Sequence, residues 1–122
     1  MAAPNIVNVT SIFGKTIGAA LGTSANTDIL TCPSNKVLKV NTVLVANVDG
    51  TNAADLNVYF YDSSAAARYA LSSTINVPSD TSVVIVGKDN PIYLEESDQI
   101  ESWASASGDL EIIISYEEID DA

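Results

Sequence analysis

The stretch Val37 to Asp62, VLKVNTVLVANVDGTNAADLNVYFYD, constrains the fold more than any other part of the chain. Successive side chains on a strand point to opposite faces, so apolar residues at every second position mark a strand with one buried side. The even positions give Leu38, Val40, Leu44, Ala46 and Val48 in one run, and Ala54, Leu56, Val58 and Phe60 in the next. Lys39, Asn41 and Asn47 make the odd face of the first run polar, but Val43 and Val45 break that pattern, so its middle is expected to be covered on both faces. Asp49, Gly50, Thr51 and Asn52 carry turn chemistry between the runs, because Gly and Asn tolerate positive φ and Asp accepts bonds from its own turn. The expectation is a β-hairpin, or two adjacent strands, at the centre of an all-β domain.

Around this centre the chain reads as strands separated by turns. Residues 1–14, MAAPNIVNVTSIFG, read as an N-terminal arm or short strand, and residues 15–122 as the β-sandwich domain. The segment GKTIGAALGTSANT, residues 14–27, holds three glycines within nine residues, Gly14, Gly18 and Gly22. Each would cost a helix about 1 kcal/mol against alanine, so a weak strand and a turn are expected there. Ile29 to Cys32 is a short strand that stops at Pro33. Ser63 and Ser64 turn the chain into a strand through Arg68 to Leu71 and on through Thr74, Ile75 and Val77, despite the alanines. Val83 to Val86 is apolar at every position and reads as a fully buried strand. Ile92 to Leu94 is a short extended piece, Gln99 to Ala106 a further strand, and Leu110 to Ile119 the last, with Ile112, Ile114 and Tyr116 alternating against Glu111, Ile113 and Glu117. Eight to ten strands with frequent turns and no convincing helix predict a single-domain antiparallel β-sandwich, jelly-roll-like or Ig-like. The expected core includes Leu38, Val40, Leu44, Leu56, Val58, Phe60, Val84, Ile112 and Ile114.

Sixteen acidic residues against five basic ones give a net charge of -11. Such a surface repels phosphate backbones and anionic lipid, so neither nucleic acid nor a membrane is an expected partner. No apolar run approaches the ~20 residues of a membrane-spanning helix, and the N-terminus lacks the pattern of a signal peptide, so a soluble protein made in a cytoplasm is expected. Cys32 is the single cysteine; it cannot form an intrachain disulfide and reads as a small apolar filler near a strand end.

The chain has no histidine, which removes the commonest general base and transition-metal ligand. It has no G-x-S-x-G elbow and no glycine-rich phosphate loop. Glu95, Glu96, Asp98 and Glu101 are close in sequence but offer no pair facing across a sugar cleft. No catalytic residue, no cofactor and no metal is expected. Calcium is the better inorganic candidate, at Asp49, Asn52 and Asp55 or at Asp89, Asn90, Glu95 and Asp98, yet neither cluster follows the EF-hand order and both read first as turns. Strand parity turns Trp103, Tyr59 and Tyr61 outward, where aromatics stack on sugars, pack on a partner or form a sheet-face cluster.

The segments APNIVNVTSIFGKT, KVNTVLVANVDGTNAADLNV, NPIYLEESDQIESWASASGDLE and SYEEI resemble, over nearly the full length, a family of small virion structural proteins of tailed phages, notably those of marine cyanobacteria. That family usually shows LEEGD where this chain has Ser97. The resemblance implies a non-enzymatic β-domain, located in the virion, that assembles on other virion proteins: a head decoration (cement) protein on the major capsid protein, or a neck or tail component. A host-glycan-binding module using Trp103 and the tyrosines is the alternative. A homo-oligomer, with a trimer preferred, and an interface drawn from Ile6, Val7, Val9, Tyr59, Tyr61 and Trp103 complete the expectation.

Overall fold

The computed structural model describes residues 9–121, which form nine strands and no helix. The strands are β1 (Val9–Ala20), β2 (Asp28–Thr31), β3 (Lys36–Asn47), β4 (Ala54–Asp62), β5 (Ala67–Val77), β6 (Ser82–Val86), β7 (Ile92–Leu94), β8 (Gln99–Ala104) and β9 (Leu110–Asp121). Two antiparallel sheets pack face to face as a β-sandwich. One, sheet A, runs β1-β9-β3-β6, with β7 also pairing β3; the other, sheet B, runs β2-β8-β4-β5. Along the chain β1 pairs β9, β2 pairs β8, β3 pairs β6 and β7, and β4 pairs β5. That nesting is one long antiparallel ribbon folded over on itself, closed by β3 on β9 and β4 on β8. Of the two topologies expected, the jelly roll is the one adopted.

β3 and β4 each lie at the centre of a sheet, but not the same sheet, so they do not form the expected hairpin. Asn47 explains the crossing. It is buried at the end of β3, where its Nδ2 donates to the carbonyls of Asn52 and Val77 and its Oδ1 accepts from the Asp49 amide. These bonds fix the corner that carries the chain from sheet A to sheet B. Satisfying the polar group this way offsets the cost of burying it.

The alternation within β3 is reset partway along. Val40 opposes Tyr116 and Thr42 opposes Ser115, leaving Asn41 as an extra residue, a β-bulge. Before it Leu38 and Val40 belong to the core cluster, with Val37 buried outside it; after it the buried residues are Val43, Val45 and Asn47. Leu44 therefore faces outward and is only half-buried, contrary to the expectation that it is core. Val84, paired with Leu44 on the edge strand β6, is 58% exposed, so Val83 to Val86 is not a fully buried strand. Phe60 is also outside the buried set, half-covered at the margin of the core. Leu38, Val40, Leu56, Val58, Ile112 and Ile114 are buried in one cluster with Leu94, Ile100 and Leu110, between the two sheets. β1 is one continuous strand that runs through residues 9–14 and on to Ala20.

Candidate interaction surfaces

The outer face of sheet B holds three of the expected interface residues together. Tyr59 on β4 and Trp103 on β8 stack, with ring centroids 5.1 Å apart and planes 16° from parallel. Their positions follow from the register, which sets Asn57 opposite Trp103 and Tyr59 opposite Glu101. Tyr61 opposes Arg68 of β5, and the guanidinium lies over its ring, 4.6 Å from the centroid. Arg68 also donates from Nε to Glu101 at 2.6 Å and from Nη2 at 3.3 Å. Glu101 is only 1% exposed although it points away from the core, because this cluster covers it. The Tyr59 hydroxyl meets Ser73 at 3.2 Å. All three aromatics are half-buried, Tyr59 and Trp103 against each other and Tyr61 beneath Arg68. Strand parity already sets Glu101 on the same face as Trp103; Arg68 was not singled out for this surface from sequence, and only the register, which sets it beside Tyr61, brings it there.

Of the remaining expected interface residues, Ile6 and Val7 lie outside the described residues. The backbone of Val9 begins β1 and pairs with Asp121.

The outer face of sheet A is different in character. Gly18, Ile113, Leu44 and Val84 are directly opposed across β1, β9, β3 and β6, forming one row. Ile113 is 46% exposed. The row on one side is Ala20, Glu111, Ala46 and Ser82, and on the other Thr16, Ser115 and Thr42. Glu111 is the one charge in these three rows, in a chain of net charge -11. Gly18 leaves the β1 end of the row without a side chain, although a Cβ there would make only ordinary contacts, 3.7 Å from the Ile112 carbonyl oxygen and 3.9 Å from the Ile113 side chain. The alternation of β9 already turned Ile113 outward; what hid the row was the bulge at Asn41, which brings Leu44 to the same face.

Of the carboxylates considered for calcium, Asp49, Asp55 and Asp98 are engaged in turns and strand pairs, while Asp89 and Glu95 are exposed. Asp49 accepts from the amides of Thr51 at 2.8 Å and Asn52 at 3.2 Å, and these bonds hold its carboxyl below the usual range. Asp55 meets the Asn76 amide nitrogen at 3.3 Å. Buried Asp98 accepts from the amides of Ser63 and Glu95 and from the Ser63 hydroxyl, tying two turns together. Among the described residues no three acidic or cysteine side chains are gathered into a metal-binding group. Cys32 is buried, and that burial pushes its thiol up to about 11, which keeps it protonated and unreactive.

A ladder of charges joins β1, β9 and β3 where Lys15 pairs with Glu118 at 3.2 Å, and Lys36 with Glu118 at 3.7 Å and with Asp120. With Arg68 on Glu101, three of the five basic side chains are committed to pairs inside the molecule. The surface that remains is overwhelmingly acidic. Compared with protein-family models and with curated proteins, the chain matches none.

Proposed function

We propose that this chain is a non-enzymatic structural protein of a phage virion, a head decoration protein that binds the major capsid lattice through the outer face of sheet A. The observation that carries the reading is the row Ile113, Leu44 and Val84, three apolar side chains adjacent on an open sheet face from which charge is nearly absent. Depletion of charge at the centre of an apolar patch is the compositional mark of a protein interface. The jelly roll supports the reading only by analogy, since it serves viral capsid domains and lectins alike. The sequence resemblance to virion proteins points the same way. In this reading the partners are other virion proteins and further copies of the chain.

The test is binding of purified protein to particles that lack it. Val84→Glu and Ile113→Glu each place a carboxylate in the row without touching the core, and should abolish co-sedimentation with the particles. Trp103→Ala should leave it intact. Full binding by both carboxylate variants would refute the proposed surface.

The Tyr59–Trp103 stack favours a second reading, a glycan-binding module on the outer face of sheet B. Retention of a defined oligosaccharide on a glycan array, lost in Trp103→Ala, would select it.

A further inference from the structure

β1 is an edge of sheet A, paired with β9 on one side and, among the described residues, with no strand on the other. From Ile12 to Ala20 it pairs with β9 without interruption, nine residues in unbroken register. An open edge this long and regular is a template for another strand, and proteins normally blunt such edges with charge, proline or bulges. The other edges are blunted. β2 has four residues and begins with Asp28, and β6 and β7 have five and three. β5 is long, but its register with β4 shifts twice, and Thr74 sits at φ 54° against the Asn57 side chain. The Ile12–Ala20 run, IFGKTIGAA, has no acidic residue, no proline and one charge, Lys15.

We infer that the β1 edge is a self-pairing site, at which two copies of the chain join antiparallel about a two-fold axis through Thr16. Symmetry limits the register. A two-fold axis normal to the sheet keeps inner side chains on the inner face, so even positions must meet even and odd must meet odd. Centring on Lys15 would set the two ammonium groups directly opposite, which is disfavoured. Centring on Gly14 leaves the end of the run unpaired. Centring on Thr16 pairs all nine residues, and every large side chain then meets a smaller or uncharged one: Phe13 meets Ala19, Ile12 meets Ala20, Lys15 meets Ile17, and Gly14 meets Gly18. Ile12 and Phe13 are 54% and 49% exposed in the single chain, as side chains awaiting a neighbour would be.

A second copy is the fitting occupant on charge grounds. Two molecules of net charge -11 repel almost everywhere. They approach at least cost along an edge that carries no carboxylate. The contact is isologous and closes at two copies. It makes one continuous sheet of two sheets A, in which the Thr16 rows of both copies join across the axis. It specifies the self-association within the proposed function, and holds whatever that outer face binds.

Cysteine cross-linking tests the register. Cα atoms of directly opposed antiparallel residues lie about 4.5–5.5 Å apart, within disulfide range. Under mild oxidation Thr16→Cys should give a covalent species of twice the chain mass. Ile12→Cys alone should not, since its two copies would be displaced by roughly 27 Å along the strands. Ile12→Cys with Ala20→Cys should cross-link again. Buried Cys32 stays out of the reaction. Sedimentation equilibrium of the unmodified protein provides a reading independent of variants: a dimer is expected, reverting to monomer in Thr16→Glu, which sets two carboxylates opposite each other. A monomer at high concentration, a closed trimer, or cross-linking of Ile12→Cys as complete as that of Thr16→Cys would each overturn the inference. A dimer of the unmodified protein that does not bind particles would count against the proposed function and leave this contact standing.

Discussion

Ser97 adopts a φ of 71°, the left-handed region that a Cβ makes unfavourable by about 1–2 kcal/mol. Its amide donates to the carbonyl of Cys32, which follows β2, at 2.9 Å, and the Asp98 carboxylate accepts from the Glu95 amide, so the turn is held in this shape from both sides. Glycine would relieve the strain, at a cost of about 0.5–1 kcal/mol in the freer unfolded chain. Ser97→Gly should thus stabilise the fold by about 0.5–1 kcal/mol, read as a higher urea midpoint at unchanged slope. A lower midpoint would show that this turn carries no strain. Core positions give a sharper contrast. Leu56 is fully buried between the sheets, and Leu56→Ala should cost about 2–5 kcal/mol. Leu44→Ala, on the outer face, and Val84→Ala, on the exposed edge, should cost much less, with Val84→Ala within about 0.5 kcal/mol of the parent. Equal losses at Leu56 and Val84 would mean that the outer face of sheet A is covered in the isolated protein.

At the scale of elements the bulge in β3 makes a prediction that runs against intuition. Deleting Asn41 removes the extra residue and leaves Val40, Thr42, Val43 and Leu44 in simple alternation, each facing the side it already faces. The deletion should be tolerated, with the near-ultraviolet dichroism of Trp103 and the tyrosines preserved. Deleting Ile113 from β9 should prevent folding, because β9 lies between β1 and β3 with no bulge opposite it there to absorb the slip, and half its buried residues would turn outward. The same bulge marks how far alternation could be read in the sequence. Leu38 and Val40, Leu56 and Val58, and Ile112 and Ile114 were legible as core because each pair lies on an unbroken stretch of strand. Leu44 was not, because Val43 and Val45 are equally apolar and one inserted residue chooses between two plausible faces. Val84 failed for another reason, since four apolar residues in a row do not say whether a strand is central or at an edge. The aromatic cluster was half legible: parity turned Tyr59, Tyr61 and Trp103 outward, but Arg68 lies on a strand whose register shifts cannot be counted from the sequence.

For the whole molecule, the response to acid sets two effects against each other. Protonating carboxylates relieves the self-repulsion of a chain of net charge -11, which favours the folded state. It also releases the carboxylates that the fold uses. Asp120 is held below the usual carboxylate range first by its bond from Lys36 and then by that from Ser11, and Asp49 by the amides of Thr51 and Asn52. A group depressed in the folded state contributes stability that is complete above its unfolded pKa, about 3.9 for Asp, and disappears as pH falls through the lower folded value. Lys36 is raised by the same pair, so on the alkaline side that pair persists until pH rises through the raised Lys36 value. The acid limb therefore reports the aspartates. Relief of repulsion is nearly the same in the parent and in a variant lacking two of sixteen acids, so it cancels when the two are compared. Asp49→Asn with Asp120→Asn should melt below the parent at neutral pH, and the gap should close as pH falls below about 4. A gap that stays constant down to the lowest pH measured would show that neither carboxylate is used in its charged form, and that the corner at Asp49 and the β3–β9 pair at Asp120 are held by packing and backbone bonds alone.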